Sequence, residues 1–214
     1  MGENRLLPLF LLTKLTAMDN RQKIQRLVTI TDEMRKNSEE MRSWKNIPQA
    51  KECVELLKAI DDPEETPMGK ALACEAVIEQ LPEYDVPRLV LGILRYQLEL
   101  VGQSDEPESS GYPTVDGVQA EIRRLEDYID TEHVSIKEFM DKYHRSLKFA
   151  PVERTPMWEE HYYEVEEECD RRLGETPRGM GFCFAYWSTL RQVLSERGIQ
   201  WQSPSELNPR VMFD

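Results

Sequence analysis

The segment 157–173, MWEEHYYEVEEECDRRL, carries residue types that could bind a divalent cation. Seven of the twelve residues 159–170 are acidic, and His161 lies among them. On a helical wheel His161, Glu164 and Glu168 fall on one flank, at spacings i, i+3 and i+7. Carboxylates and imidazoles are ordinary ligands of divalent cations. A site would also need one or two ligands from a second helix, and no second set of this kind occurs. The alternative is a solvated acidic face on an amphipathic helix.

The stretch 175–187, ETPRGMGFCFAYW, could bind an anion. Thr176 before Pro177 predicts a helix N-terminus, because threonine can cap the first turn and proline has no N–H to leave unpaired there. Free amides and the positive end of the helix dipole attract phosphate at such a place. The residues that would complete the site are Arg171, Arg172, Arg178 and Gly179. No P-loop or dinucleotide fingerprint is present, so the alternative is a capped helix with close packing at its glycines.

Nucleophilic catalysis finds little support in the sequence. There is no GxSxG motif, and the three histidines are scattered along the chain. The four cysteines, Cys53, Cys74, Cys169 and Cys183, form no CxxC pair and fall on apolar helical stripes. Scattered cysteines indicate a reducing compartment, so we expect a cytoplasmic protein. Whether the chain is an enzyme stays open at this stage, and the sequence leans against it.

The C-terminal segment 201–214, WQSPSELNPRVMFD, is too apolar for a free tail. Ser203 and Glu206 have the spacing of a capping box, and Pro209 ends the short helix that it would start. We expect the segment to fold back on the core as a strap. The alternative is a docking peptide that binds a partner through Trp201, Met212 and Phe213.

Hydrophobic spacing predicts an all-α protein, a multi-helix bundle with few strand signals. A Thr-Pro or Ser-Pro pair opens a helical segment at Thr66, Thr155, Thr176 and Ser203. The predicted helices are 19–44, 48–60, 66–81, 86–101, 117–130, 134–146, 156–173 and 177–197. The helix within 86–101 is apolar almost all round and is predicted to be central to the first half.

The domain organisation follows from the segment 102–117, which is rich in glycine, serine, proline and acids. It is predicted to be a linker or long loop between two helical halves, 18–101 and 118–214. Residues 1–17 have no assigned role, because the native start could be Met1 or Met18. Their short apolar run is interrupted by Pro8 and lacks a convincing cleavage site, which disfavours a signal peptide.

The net charge of −13 disfavours some classes of binding partner and favours others. An acidic surface repels nucleic acids and anionic membranes and suits a basic protein surface. The sequence therefore favours a protein-binding or scaffolding module without a cofactor. The alternatives are a metal-dependent hydrolase, for which a divalent metal would be the cofactor, and a phosphate- or nucleotide-binding regulator. The oligomeric state does not follow from the sequence.

Overall fold

The computed structural model describes residues 17–62, 65–104 and 111–213, and this part of the chain is all-α, as predicted. It contains no strand within those ranges. The α-helices are α1 (Asn20–Glu39), α2 (Asn46–Ala59), α3 (Pro67–Ile78), α4 (Pro87–Gln103), α5 (Val115–Ile129), α6 (Ile136–Lys142), α7 (Pro156–Leu173), α8 (Phe182–Glu196) and α9 (Pro204–Leu207). Two short 3-10 turns, Ser43–Lys45 and Pro151–Arg154, precede α2 and α7.

Three of the four predicted Thr-Pro or Ser-Pro helix starts are confirmed. Thr66, Thr155 and Ser203 each accept a hydrogen bond from the backbone N–H three residues on, and proline occupies the first helical position. Ser203 also forms the predicted capping box with Glu206. A side-chain cap of this kind contributes about 1 kcal/mol, because it satisfies an amide that has no partner within the helix.

The fourth predicted start, at Thr176, is wrong. Helix α8 begins at Phe182, and its N-cap is Gly181, whose φ of 79° lies in the left-handed region that glycine adopts easily. The Thr176 hydroxyl instead donates to the carbonyl oxygen of Leu173 at the end of α7. The residues between Thr176 and Gly181 therefore connect two helices and are not the first turns of α8.

Left-handed residues also end two helices earlier than the hydrophobic spacing predicts. Met41 has φ 57° just after α1, and His144 has φ 51° just after α6. This conformation costs an L-residue roughly 1–2 kcal/mol and cannot be continued as a right-handed helix. The helices predicted at 19–44 and 134–146 accordingly end at Glu39 and Lys142.

Within the described residues the chain forms two compact units. The first comprises residues up to Glu83 together with Leu89–Ile122, and the second comprises Tyr84–Arg88 together with the residues from Arg123 onward. The division lies within α5 and not in the predicted linker 102–117. Helices α4 and α5 extend into that linker from both ends, and residues 105–110 lie outside the described part, as do residues 1–16.

The first unit is built on α1, α2 and α3, which pack against one another, together with α4. Asn46, fully buried at the start of α2, ties three parts of this unit together. Its Nδ2 donates to the carbonyl oxygens of Met34 at 3.0 Å and Gln80 at 2.8 Å, and its Oδ1 accepts from Asn37 Nδ2 at 2.9 Å. One amide side chain thus satisfies buried polar groups that would otherwise destabilise the core.

Helix α4 was predicted to be apolar almost all round, but one of its sides is exposed. Val90, Ile93 and Leu94 are buried, but Arg95 and Glu99 are exposed, so one side of the helix faces water. A helix with one solvated side is amphipathic and need not be surrounded by protein. Among the described helices, none combines the length and the apolar character needed to cross a bilayer.

The second unit is built on α7 and α8, which pack together, and Val165, Cys169 and Val193 on these helices are buried. The C-terminal strap, residues 199–213, lies on this unit. Its Asn208 donates from Nδ2 to the Lys148 carbonyl oxygen and accepts from the Lys148 N–H, both at 2.9 Å. Trp201, in the same segment, is 9% exposed. The tail is therefore held against the body of its own unit.

Candidate functional site

The three predicted metal ligands on α7 lie in different environments. Glu168 accepts hydrogen bonds from Arg171 Nη2 and Arg172 Nε, each at 2.6 Å, and these bonds lower the pKa of its carboxyl to about 2. His161 is half-buried, and Glu164 is exposed. In the ranges that the structure covers, no three His, Cys, Asp or Glu side chains are grouped so that they could hold a metal ion.

The arginines of the predicted anion site are already engaged by carboxylates. Arg178 pairs with Asp170 and lies 5.1 Å from the centre of the Phe182 ring. Arg172 forms two hydrogen bonds to Glu196, at 2.9 and 2.6 Å. Arg172 and Arg171 both also bond to Glu168. An anion would have to compete with these internal pairs. Gly179 is exposed and precedes the true start of α8, so its amide is not part of that helix terminus.

The three predicted partner-binding residues fall in different environments. Trp201 lies inside the second unit, where its Nε1–H donates to Glu153 Oε1 at 2.7 Å. Met212 is 95% exposed. Phe213 is half-buried, with its ring edge-to-face on Trp187 at 5.1 Å between centroids. In this conformation Trp201 anchors the strap, and of the three residues Met212 is the most accessible to a partner.

Phe213 and Met212 extend an apolar surface that begins on α8, which we name the aromatic–methionine patch: Met180, Phe184, Trp187, Met212 and Phe213. The Phe184 ring is 5.6 Å from that of Trp187, again edge-to-face, and Phe184 is 50% exposed. Met180, four residues before Phe184, is 94% exposed. The patch therefore combines three linked aromatic rings with two exposed methionines that are close to them in the sequence.

A second feature of this unit is an acid–aromatic cluster, formed by three acids that accept hydrogen bonds from aromatic donors. Trp158 Nε1–H donates to Asp85 Oδ1 at 3.0 Å. The hydroxyl of Tyr186 donates to Glu166, as the Trp201 indole does to Glu153. Burial raises the pKa of Asp85 to about 6 and the pKa values of Glu153 and Glu166 to about 7. These acids therefore titrate near neutral pH.

The charges around the cluster act in opposite directions. The negative charge of Asp85 raises the pKa of both Glu153 and Glu166, because like charges oppose ionisation. Arg145 lowers the pKa of Glu153, and Arg178 lowers that of Glu166. Burial and the negative charge of Asp85 outweigh the two arginines, so the pKa values of Glu153 and Glu166 stay above the ordinary value.

The sequence analysis did not identify this cluster. Glu166 carried a usable signal, because it lies on the same side of α7 as Tyr162, Val165 and Cys169, where an acid must be buried. Asp85 and Glu153 lie next to α4 and in a 3-10 turn, in stretches too short for any periodicity. Nothing in their spacing distinguishes them from exposed acids.

Comparison with known proteins gives no match to this chain among family models, curated protein sequences or solved structures. The functional interpretation therefore rests on the chain's own residues. Two features of the second unit carry it: the aromatic–methionine patch, and the acid–aromatic cluster, in which Glu166 is buried and Asp85 and Glu153 are half-buried.

Proposed function

We propose that this protein is a protein-binding module and that the aromatic–methionine patch is its contact surface. The observation that supports the proposal is the exposure of Met180, Phe184 and Met212, together with the ring contacts that join Phe184 to Trp187 and Trp187 to Phe213. Aromatic residues and methionine are enriched at the centres of protein interfaces. Methionine also adapts its shape to a partner because its side chain has no branches.

The patch suits a partner that inserts apolar side chains between its rings. Covering these side chains removes apolar surface from water, at roughly 25 cal/mol per Å². The net charge of −13 favours a partner with basic residues around that apolar contact, because the long-range field attracts it. Acids on the exposed face of α7, Glu160, Glu164 and Glu167, contribute to that field.

The predicted metal and anion sites are less accessible to a ligand than the aromatic–methionine patch is to a partner. Glu168 pairs with Arg171 and Arg172, and Arg178 pairs with Asp170, so a ligand would first have to break internal ion pairs. The patch side chains make ring contacts with each other but still expose much of their surface. A binding surface on α8 and the end of the strap therefore requires no rearrangement of the fold.

The experiment removes the patch without disturbing the core. Met212→Ser changes an exposed side chain, so we expect the free energy of unfolding to change by less than about 0.5 kcal/mol. Phe184→Ser also loses the ring contact with Trp187, so we expect a loss of about 1 kcal/mol. Met157→Ser is the matched control, since Met157 is also exposed but lies in the first turn of α7, at the far end of that helix from Met180. A partner captured with the wild-type chain is purified, and its Kd is measured for each variant.

We expect the patch variants to weaken binding about 10- to 30-fold, which is typical of central interface residues, and the control to bind as the wild type does. Raising the salt concentration should weaken the wild-type complex, because the partner is expected to be basic. Equal Kd values for the wild type and both patch variants would show that the partner binds elsewhere.

A further inference from the structure

Arg145, in the segment that follows α6, is held in place by aromatic rings. Its guanidinium carbon lies 4.0 Å from the centre of the Tyr84 ring and 5.7 Å from that of the Phe149 ring. The backbone of the preceding residue, His144, is left-handed, and the Arg145 N–H donates to the carbonyl oxygen of Met140 at 3.0 Å. Arg145 is therefore fixed both at its backbone and at the far end of its side chain.

The rings that hold Arg145 belong to a connected aromatic cluster in the second unit. Tyr84 lies edge-to-face on Tyr128, with 4.9 Å between the ring centroids, and Phe149 lies 5.3 Å from the same ring. Phe139 contacts all three of these rings, and both Phe139 and Tyr128 are buried. A guanidinium that stacks on rings packed into a core keeps its plane, so its N–H groups point in fixed directions.

The side-chain N–H groups of Arg145 are not used within the described part of the chain, where no ion pair and no side-chain hydrogen bond involves this residue. Other arginines of the same unit pair with acids: Arg88 with Glu159, Arg172 with Glu196, Arg178 with Asp170 and Arg191 with Glu206. Arg145 is half-buried, so its donors reach solvent beside the rings. An immobilised guanidinium with open donors suits an external oxyanion, because little side-chain entropy remains to be lost on binding.

A second arginine lies on the same tyrosine ring. The guanidinium carbon of Arg124, on α5, is 5.2 Å from the centre of the Tyr84 ring, and its Nη1 donates to the Tyr84 hydroxyl. The positive charges of Arg124 and Arg145 repel each other, because both lie around one ring. Glu153, whose pKa Arg145 lowers against the larger effect of burial, forms no ion pair with Arg145 and accepts instead from the Trp201 indole. An external anion beside both guanidinium groups would offset the repulsion.

We propose that Arg145 and Arg124 form a phosphate-binding site beside Tyr84. A guanidinium presents parallel N–H groups that match two oxygens of a phosphate, and a phosphate monoester carries about two negative charges at neutral pH. Two arginines therefore suit a phosphate group better than a carboxylate, which carries one charge. The ligand is free phosphate or a small phosphate monoester. The site shares no residue with the aromatic–methionine patch and goes beyond the proposed function.

Isothermal titration calorimetry with inorganic phosphate at neutral pH, with the ionic strength held constant by sodium chloride, tests the site. We expect saturable binding with a Kd of about 1 mM, which a few charge-assisted hydrogen bonds in water can provide. Arg145→Gln removes both the charge and the forked donors and should weaken binding by about 10-fold or more. Arg145→Lys keeps the charge but loses the fork and the stacking, so it should weaken binding about three- to tenfold.

Arg123→Gln is the matched control, because Arg123 is an exposed arginine next to Arg124 on α5. It removes one positive charge from the same helix without touching Tyr84 or Arg145, and its Kd should stay within about twofold of the wild-type value. Equal weakening by Arg145→Gln and Arg123→Gln would overturn the site, because the effect would then come from net charge alone. Circular dichroism establishes that each variant is folded. If Arg145→Gln does not fold, Arg145→Lys and the wild-type titration decide.

An absence of saturable binding to the wild type up to about 20 mM phosphate would overturn the proposal. Acetate that binds as tightly as phosphate would overturn the assignment to a doubly charged ligand. Glycerol phosphate distinguishes the two sources of the phosphate group: binding more than about threefold tighter than that of inorganic phosphate supports a small monoester, and equal or weaker binding supports free phosphate. None of these titrations needs a protein partner, so their failure leaves the binding test of Phe184→Ser and Met212→Ser unaffected.

Discussion

Replacing Glu166 by glutamine should stabilise the second unit at pH 8 and leave its stability almost unchanged at pH 4.5. Glu166 is 6% exposed on α7 and accepts a hydrogen bond from the hydroxyl of Tyr186. Burial is the main cause that raises the pKa of its carboxyl from 4.5 to about 7, and the charge of Asp85 adds to it. Glutamine mimics the protonated acid and still offers an oxygen to Tyr186.

The sign follows from proton binding. An acid with a raised pKa holds its proton more tightly in the folded state than in the unfolded chain. The stability that it contributes is fully present below pH 4.5 and is lost as the pH rises through 7. A change of pKa from 4.5 to about 7 corresponds to about 3 kcal/mol, so the wild type should lose up to that amount between pH 4.5 and pH 8 through Glu166.

Urea denaturation at pH 4.5, 6 and 8 measures this difference. Tryptophan fluorescence reports mainly on the second unit, because Trp158, Trp187 and Trp201 belong to it and only Trp44 belongs to the first. The advantage of Glu166→Gln over the wild type should grow from near zero at pH 4.5 to as much as about 3 kcal/mol at pH 8. Glu160→Gln, an exposed control on the same helix, should show no such growth.

A constant difference between Glu166→Gln and the wild type at all three pH values would refute the reasoning. It would mean that the carboxylate is solvated in the folded unit or compensated by Arg178. A variant less stable than the wild type at pH 8 would have the same meaning, because the ionised form would then be the favoured one. Either result would also count against the raising of the Glu166 pKa by the negative charge of Asp85.

Two further predictions concern single hydrogen-bonding side chains. Asn46→Ala should reduce the free energy of unfolding by about 2–3 kcal/mol, because it removes the donor to the Gln80 carbonyl oxygen, a second donor to that of Met34 and the acceptor of Asn37 Nδ2. Urea denaturation followed by circular dichroism measures this loss, and a loss below about 0.5 kcal/mol would contradict the prediction. Thr155→Ala should reduce the free energy of unfolding by about 1 kcal/mol, because it removes the N-cap of α7. Thr176→Ala should cost clearly less, because Thr176 caps no helix. Thermal melts of the two variants compare the losses directly, and equal losses would contradict the assigned start of α8.

The helices were largely predictable from the sequence because their signals are local. Helix α7 has the predicted bounds, since Thr155 caps its start and Gly174, with φ 50°, follows its end. The start of α8 was not predictable from Thr176 and Pro177 alone. Two candidate signals, the Thr-Pro pair and the left-handed glycine at Gly181, lie close together, and nothing local decides which one the chain uses.

The candidate sites were less predictable, because they depend on contacts between distant segments. The sequence identified Met212 as an apolar residue near the C-terminus. It did not show that the next residue, Phe213, contacts Trp187 on α8. The predicted sites on α7 and before α8 contain the right residue types. Their charges, however, pair with each other, and the spacing of single residues does not show this.

The buried acids give the second unit a property that a purely apolar core lacks. Near neutral pH, replacing buried ionisable groups with neutral ones of similar volume is often neutral or stabilising, so these acids reduce stability in the range where they ionise. Only Glu153 of the three is bonded in this structure to the strap, through Trp201, while Asp85 raises the pKa of Glu153 from a distance.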